Sequence, residues 1–93
     1  MTLQVINIHQ ALRKTEQPFT LVELAGAGEL ALHGYICLGA LTWHKHIDND
    51  EAFLVLEGAM ALESDWGGVM LHAAELAVVP KGISHRSGSQ LRT

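Results

Sequence analysis

The stretch Gly39-Ala40-Leu41-Thr42-Trp43-His44-Lys45-His46-Ile47-Asp48-Asn49-Asp50-Glu51-Ala52-Phe53-Leu54-Val55-Leu56-Glu57-Gly58 places two histidines one residue apart, then a polar turn, a glutamate and an apolar run. In an extended chain, residues i and i+2 point the same way, with Cα atoms about 6.6 Å apart. That separation lets the His44 and His46 imidazoles converge on one ion, each at about 2.0–2.2 Å. Asp48-Asn49-Asp50 is a turn sequence, and it returns the chain so that Glu51 points to the same spot from the neighbouring strand. Beyond Glu51, alternate residues divide between two faces: Glu51, Phe53 and Val55 on one, Ala52, Leu54 and Leu56 on the other. Both faces are apolar after the first residue. A strand of this kind is expected to be covered on both sides, by a second sheet or a second subunit.

Outward from this stretch, short apolar runs alternate with Gly, Asp and Asn, the pattern of a sandwich or barrel of short strands. Strands are expected over 19–24, 30–38, 41–46, 52–56, 60–64, 69–72 and 76–79. Asp65-Trp66-Gly67-Gly68 serves as a hairpin turn. His9 to Lys14 has room for a short helical turn that Pro18 limits. The tail from Ser87 reads as short and polar. The 93 residues make room for one domain, expected over 1–93 with a barrel core at about 19–86.

Composition narrows the classes of function. Hydrophobic residues make up 48% and charged residues 17%, rich in apolar groups for a small monomer, so a homodimer that covers apolar surface is expected. The net charge is -4 and the basic residues are scattered, which argues against nucleic acid and anionic membrane surfaces. The start MTLQVINIHQ lacks the pattern of a signal peptide. No apolar run approaches the roughly 20 residues of a membrane span, so a cytoplasmic location is expected. Cys37 is the single cysteine. In its apolar surroundings it reads as a small core residue rather than a reactive thiol.

A fourth candidate ligand, His85, follows Pro80-Lys81-Gly82-Ile83-Ser84, where Pro and Gly make a rigid turn able to aim an imidazole inward. Three neutral nitrogens and a carboxylate suit one divalent transition metal ion such as Fe, Mn, Ni, Cu or Zn. Four protein ligands leave one or two positions of an octahedral ion for water or substrate. Phe53, Val55, Met60 and Leu62 are candidate pocket-lining residues, which are core residues first. No dedicated general base stands out, and His72 is the one spare histidine with any case as a catalytic group. Lys45, between two inward histidines, is expected to face outward. Arg86 is read with equal weight as a pocket-rim cation favouring an anionic ligand and as a solvated charge. Trp43 and Trp66 are read as packing or interface residues.

Two segments carry a resemblance to a known family. The first is Gly39-ALTW-His44-Lys45-His46-IDND-Glu51-AFLVLE-Gly58, and the second is Ala74-ELAVV-Pro80-Lys81-Gly82-IS-His85-RSG-Ser89. Together they resemble the two motifs of the cupins over residues 39–89, with Ala74 where the family has Gly and Ser89 where it has Asn. The wording WHKH, DEAFLVLEG and VVPKGISHR is similar to small bacterial cupins labelled as like mannose-6-phosphate isomerase. The resemblance implies an all-β jelly-roll barrel with His44, His46, Glu51 and His85 on the metal-ligand positions. Thr93 lies eight residues after His85, where cupins supply another strand, so the barrel is expected to be open at one edge or completed by a partner. The functional expectation is a metal-binding cupin that acts on or binds a small organic molecule, as an oxygenase or isomerase-like enzyme if it is one. The alternative is a non-catalytic sensor or carrier in which the metal anchors a ligand or staples the fold.

Overall fold

The computed structural model describes residues 2–93. The chain divides into two compact units, one reaching Ile36 and one spanning Cys37–Thr93. In the first, α1 (Ile8–Arg13) starts at Asn7, whose side chain accepts a hydrogen bond from the Gln10 amide at 3.0 Å. This is the N-cap that satisfies an amide the helix leaves without a partner. β1 (Val22–Ala27) and β2 (Leu30–Gly34) pair antiparallel. The predicted strand from residue 19 begins later because Phe19, next to Pro18, takes a positive φ of 63°, outside the extended region. A side chain at Gly34 would meet Leu12 at 2.9 Å and Leu24 at 3.2 Å. The missing Cβ therefore lets the helix lie close against the hairpin.

The second unit holds β3 (Gly39–Ala40), β4 (Glu51–Leu54), β5 (Ala59–Ser64), β6 (Gly67–His72), β7 (Leu76–Val79) and β8 (His85–Ser89). They form a four-stranded antiparallel sheet in the order β3-β8-β5-β6 and a two-stranded sheet of β4 and β7. The inward residues Val55, Met60, Leu62, Leu71 and Val79 are buried together with Cys37, Ser87 and His85. The two sheets meet where the Phe53 ring stands edge-on to His85, with centroids 5.6 Å apart. The all-β, jelly-roll expectation holds in the form of a sandwich. Among the described residues, no ladder of strands closes it into a barrel.

Three local readings change. The segment expected as a strand over 41–46 keeps one isolated bridge, His44 to His85. The Thr42 carbonyl there is occupied by the His44 ring instead of a neighbouring strand. The polar tail begins with a strand: β8 lies inside the sheet, flanked by β3 and β5, and Thr93 exchanges backbone hydrogen bonds with Cys37. Its inward side chains are His85, Ser87 and Ser89, so strict polarity hid a half-buried strand. The edges of this sheet are β3 and β6. Within the chain the run 51–56 is covered on one face, so of the two covers read for the other face the second sheet is not supplied and the second subunit is left. Val55 is buried, while Leu54 is 58% exposed and its cross-strand partner Leu76 is 61% exposed.

The turn between β6 and β7 shows why the family's glycine position matters. Ala74 sits at φ 67°, a left-handed conformation that costs an L-residue roughly 1–2 kcal/mol. Against the greater entropy that glycine loses on folding, Ala74→Gly is expected to stabilise the protein by about 0.5–1 kcal/mol in a denaturant titration. A destabilised variant would count against this account of the turn.

Candidate metal centre

The four ligand candidates reach the site from three segments of the second unit. His85 opens β8 and is 1% exposed. Opposite it, His44 is held by two backbone bonds, His44 N–H to His85 O at 3.0 Å and His85 N–H to His44 O at 2.9 Å. His46 lies two residues on, in the loop. Glu51 opens β4, at the edge of the second sheet. One ligand atom from each of the four lies within 4.8 Å of every other.

Backbone carbonyls orient two of the rings. His44 Nδ1–H donates to the Thr42 carbonyl at 2.9 Å, and His85 Nδ1–H donates to the Ile83 carbonyl at 2.9 Å. A carbonyl only accepts, so these contacts assign the proton to Nδ1 and leave the lone pair of the neutral ring on Nε2. His85 Nε2 faces Glu51 Oε1 at 3.0 Å, and His46 Nε2 faces Glu51 Oε2 at 3.2 Å. Across the His85 contact a ring lone pair meets a carboxylate lone pair, which is favourable only with a positive charge between or on them. Two ligands at about 2.1 Å from one ion and at right angles to each other stand about 3.0 Å apart. The observed spacing matches that requirement, and the donor set fits a divalent cation.

Arg86 lies outside this cluster. It bonds Glu63 at 3.2 Å and stands 5.1 Å over the Trp43 ring. Trp43 and Arg86 neighbour His44 and His85 in sequence, so strand alternation sends them to the opposite face. The rim role for Arg86 is therefore replaced by an outer-face stack. Phe53 adjoins the site through His85, Leu62 lies opposite Ser87 and one pleat from the site, and Val55 and Met60 sit deeper in the core.

His72 is far from the cluster. It pairs with Ala59 at one end of β5, whereas His85 pairs with Ser64 at the other. Five residues of strand separate these positions by about 17 Å. The His72 ring and backbone amide both bond Glu75, and these two hydrogen bonds hold the Glu75 carboxyl below its usual range. His72 is thus not placed to serve as a catalytic base. Burial pushes the Cys37 thiol up, opposed in part by its hydrogen bond with Ser87, which agrees with a core role. The Thr42 and Ile83 carbonyls carry no side-chain signal, so no sequence pattern pointed to them.

Comparison with known proteins places this arrangement in a family. No family model matches the chain. A 56-residue stretch is 41% identical to the uncharacterized protein YdbB of Bacillus subtilis, and this covers 59% of the chain and 50% of that protein. The chain thus spans about half the length of the curated relative it matches. A cupin-2 domain containing protein from Shewanella frigidimarina superposes with a TM-score of 0.88 at 27% identity, covering 95% of this chain and 86% of that one. Protein NMB1881 from Neisseria meningitidis superposes with a TM-score of 0.84 at 31% identity, covering 94% and 89%. The chain is a small cupin. Its His/His/Glu/His cluster sits on the face where the two sheets of this cupin meet.

Metal uptake by this cupin is expected to depend on the cluster and not on the spare histidine. In mass spectrometry of purified protein, His44→Ala and His85→Ala each lose a bound metal that His72→Ala retains at about one equivalent. Equal loss in all three would discredit the assignment.

Proposed function

We infer that this cupin holds one divalent transition metal ion through His44, His46, Glu51 and His85, and that a small organic molecule binds or reacts there. The observation that carries this reading is the convergence of ring and carboxylate lone pairs around Glu51 at 3.0 and 3.2 Å. A bound ion of this kind polarises a coordinated oxygen. The donor set suits Fe, Mn, Ni, Cu or Zn. The chain supplies a graded environment. The His85 side chain is 1% exposed, against 44% for His46 and 35% for Glu51, so a ligand approaches from the His46–Glu51 side. Phe53, packed edge-on against His85, restrains that ring and keeps water from its buried flank.

One observation favours a second reading, in which the site binds a ligand without turnover. In the unit that holds the site, the histidine outside the cluster is His72, about 17 Å away along the strand. A purely structural staple would be coordinatively closed, and the exposure of His46 and Glu51 speaks against it. The deciding experiment loads the protein with metal and screens small carbonyl, thiol and catechol compounds for both thermal shift and product. Product formation establishes an enzyme. Shifts without product favour the carrier reading, and neither response would overturn both.

We also read the apolar outer face of β4 and β7 as the seat of a homodimer in the cytoplasm. Leu54, Leu56, Leu76 and Val78 are exposed there, an apolar patch that association would remove from water. Light scattering is expected to give twice the 10.1 kDa chain mass, and Leu54→Asp to reduce it to one chain. A wild-type monomer would contradict the dimer.

A further inference from the structure

The segment Lys81–His85 delivers the buried ligand His85, and every backbone amide in it has a partner. Lys81 N–H donates to Asp50 Oδ1 at 2.9 Å. Gly82 N–H donates to the His46 carbonyl at 2.7 Å, and Ile83 N–H to the Pro80 carbonyl at 3.3 Å. Ser84 N–H donates to Asp65 Oδ2 at 3.1 Å, and the Ser84 carbonyl accepts from Asp65 N–H at 3.1 Å. His85 N–H then joins the His44 carbonyl.

Three of these acceptors are backbone carbonyls, and two are side chains. The side chains belong to Asp50 and Asp65, which come from opposite sides: the ligand loop before β4 and the hairpin between β5 and β6. Neither belongs to the cluster of ligand atoms. Ile83, whose carbonyl orients the His85 ring, lies between their two attachment points. Fixing the backbone on both sides of Ile83 fixes the direction of that carbonyl, and with it the direction of Nε2. The Asp50 attachment also ties the second ligand segment to the loop carrying His46, where Gly82 bonds the His46 carbonyl.

We propose that Asp50 and Asp65 are positioning residues that clamp the 81–85 segment from two sides and so hold His85 Nε2 in line with Glu51. This rests on the metal-centre reading. Each carboxylate acts as a hydrogen-bond acceptor, so the amide of asparagine can replace it, whereas alanine cannot. Groups that orient metal ligands typically change metal affinity 10–100-fold when removed.

The test uses Asp50→Ala, Asp65→Ala, Asp50→Asn and Asp65→Asn in the full chain. Zinc(II) affinity is measured by competition with a chromophoric chelator. The ring nitrogens of His85 are followed by 15N NMR in chelated protein, and thermal stability is measured without metal. Each alanine variant is expected to weaken zinc binding about 10-fold and to shift the His85 ring signals, with the metal-free melting temperature little changed. The asparagine variants are expected to restore both readouts. Alanine variants that match wild type in affinity and ring signals would overturn the proposal. So would asparagine variants as weak as alanine, since the carboxylate charge would then be the agent. Alanine variants that fail to fold without metal would reduce the clamp to a structural role and overturn it too. If wild type binds neither zinc nor any of Fe(II), Mn(II), Ni(II) and Cu(II) while the ring signals still respond as expected, the clamp stands and the metal reading falls.

Discussion

The two-way backbone bridge between His44 and His85, at 3.0 and 2.9 Å, is the constraint on which the site depends. Residues 41–47 otherwise run without a ladder, and this pair of bonds joins the Leu41 N–H to Ser87 carbonyl bond at 2.9 Å in holding the first candidate-ligand segment to β8. It places the two rings with centroids 4.5 Å apart and directs both toward the second sheet, where Glu51 enters. A single bridge suffices because each ring is oriented separately, by the carbonyl two residues before it. The divided arrangement explains how an irregular segment contributes to a fixed site: the strand supplies position and the local carbonyl supplies direction.

The same alternation that gathers the ligands empties the interior of other charge. Arg86 and Trp43, each one residue from a candidate ligand, leave for the outer face, where Arg86 stacks over Trp43 and bonds Glu63. The inner face keeps Ser87 and apolar side chains. The candidate ligands grade from the buried His85 to the half-exposed Glu51 and the exposed His46, beside an inner face with no other histidine. The apolar outer face of β4 and β7 follows from the same rule of two. Its Leu and Val residues are as hydrophobic as those inside, yet the second unit places cover on one side alone.

Much of the site was legible because ligand chemistry constrains residue type and spacing together. Two histidines at i and i+2, a turn, a glutamate and a histidine after Pro-x-Gly name, without coordinates, the four residues that the structure brings together. Where strands were marked by apolar runs bounded by turns, as at Leu76–Val79, the boundaries were legible as well. The reading failed where polarity and strand formation part ways. β8, His85-Arg86-Ser87-Gly88-Ser89, has no hydrophobic residue to announce it. It becomes a strand because β3 and β5 offer their hydrogen-bonding edges on either side. Its inward hydroxyls are tolerated because they find partners, as Ser89 does with the Ala59 carbonyl at 2.8 Å.

By itself, then, the sequence determined the fold class, the four residues of the candidate metal cluster and the apolar character of the β4 strand, because these rest on residue type and local spacing. Tertiary structure decided what depends on distances between remote segments. It moved His72 to the far end of the sheet, since strand register cannot be read from one strand alone. It chose the outer face for Arg86, and it brought Asp50 and Asp65 to the two sides of the segment that carries His85. Hydrogen bonds spanning 31 and 19 residues leave no periodic trace in a sequence, because their partners meet only when both sheets are in place.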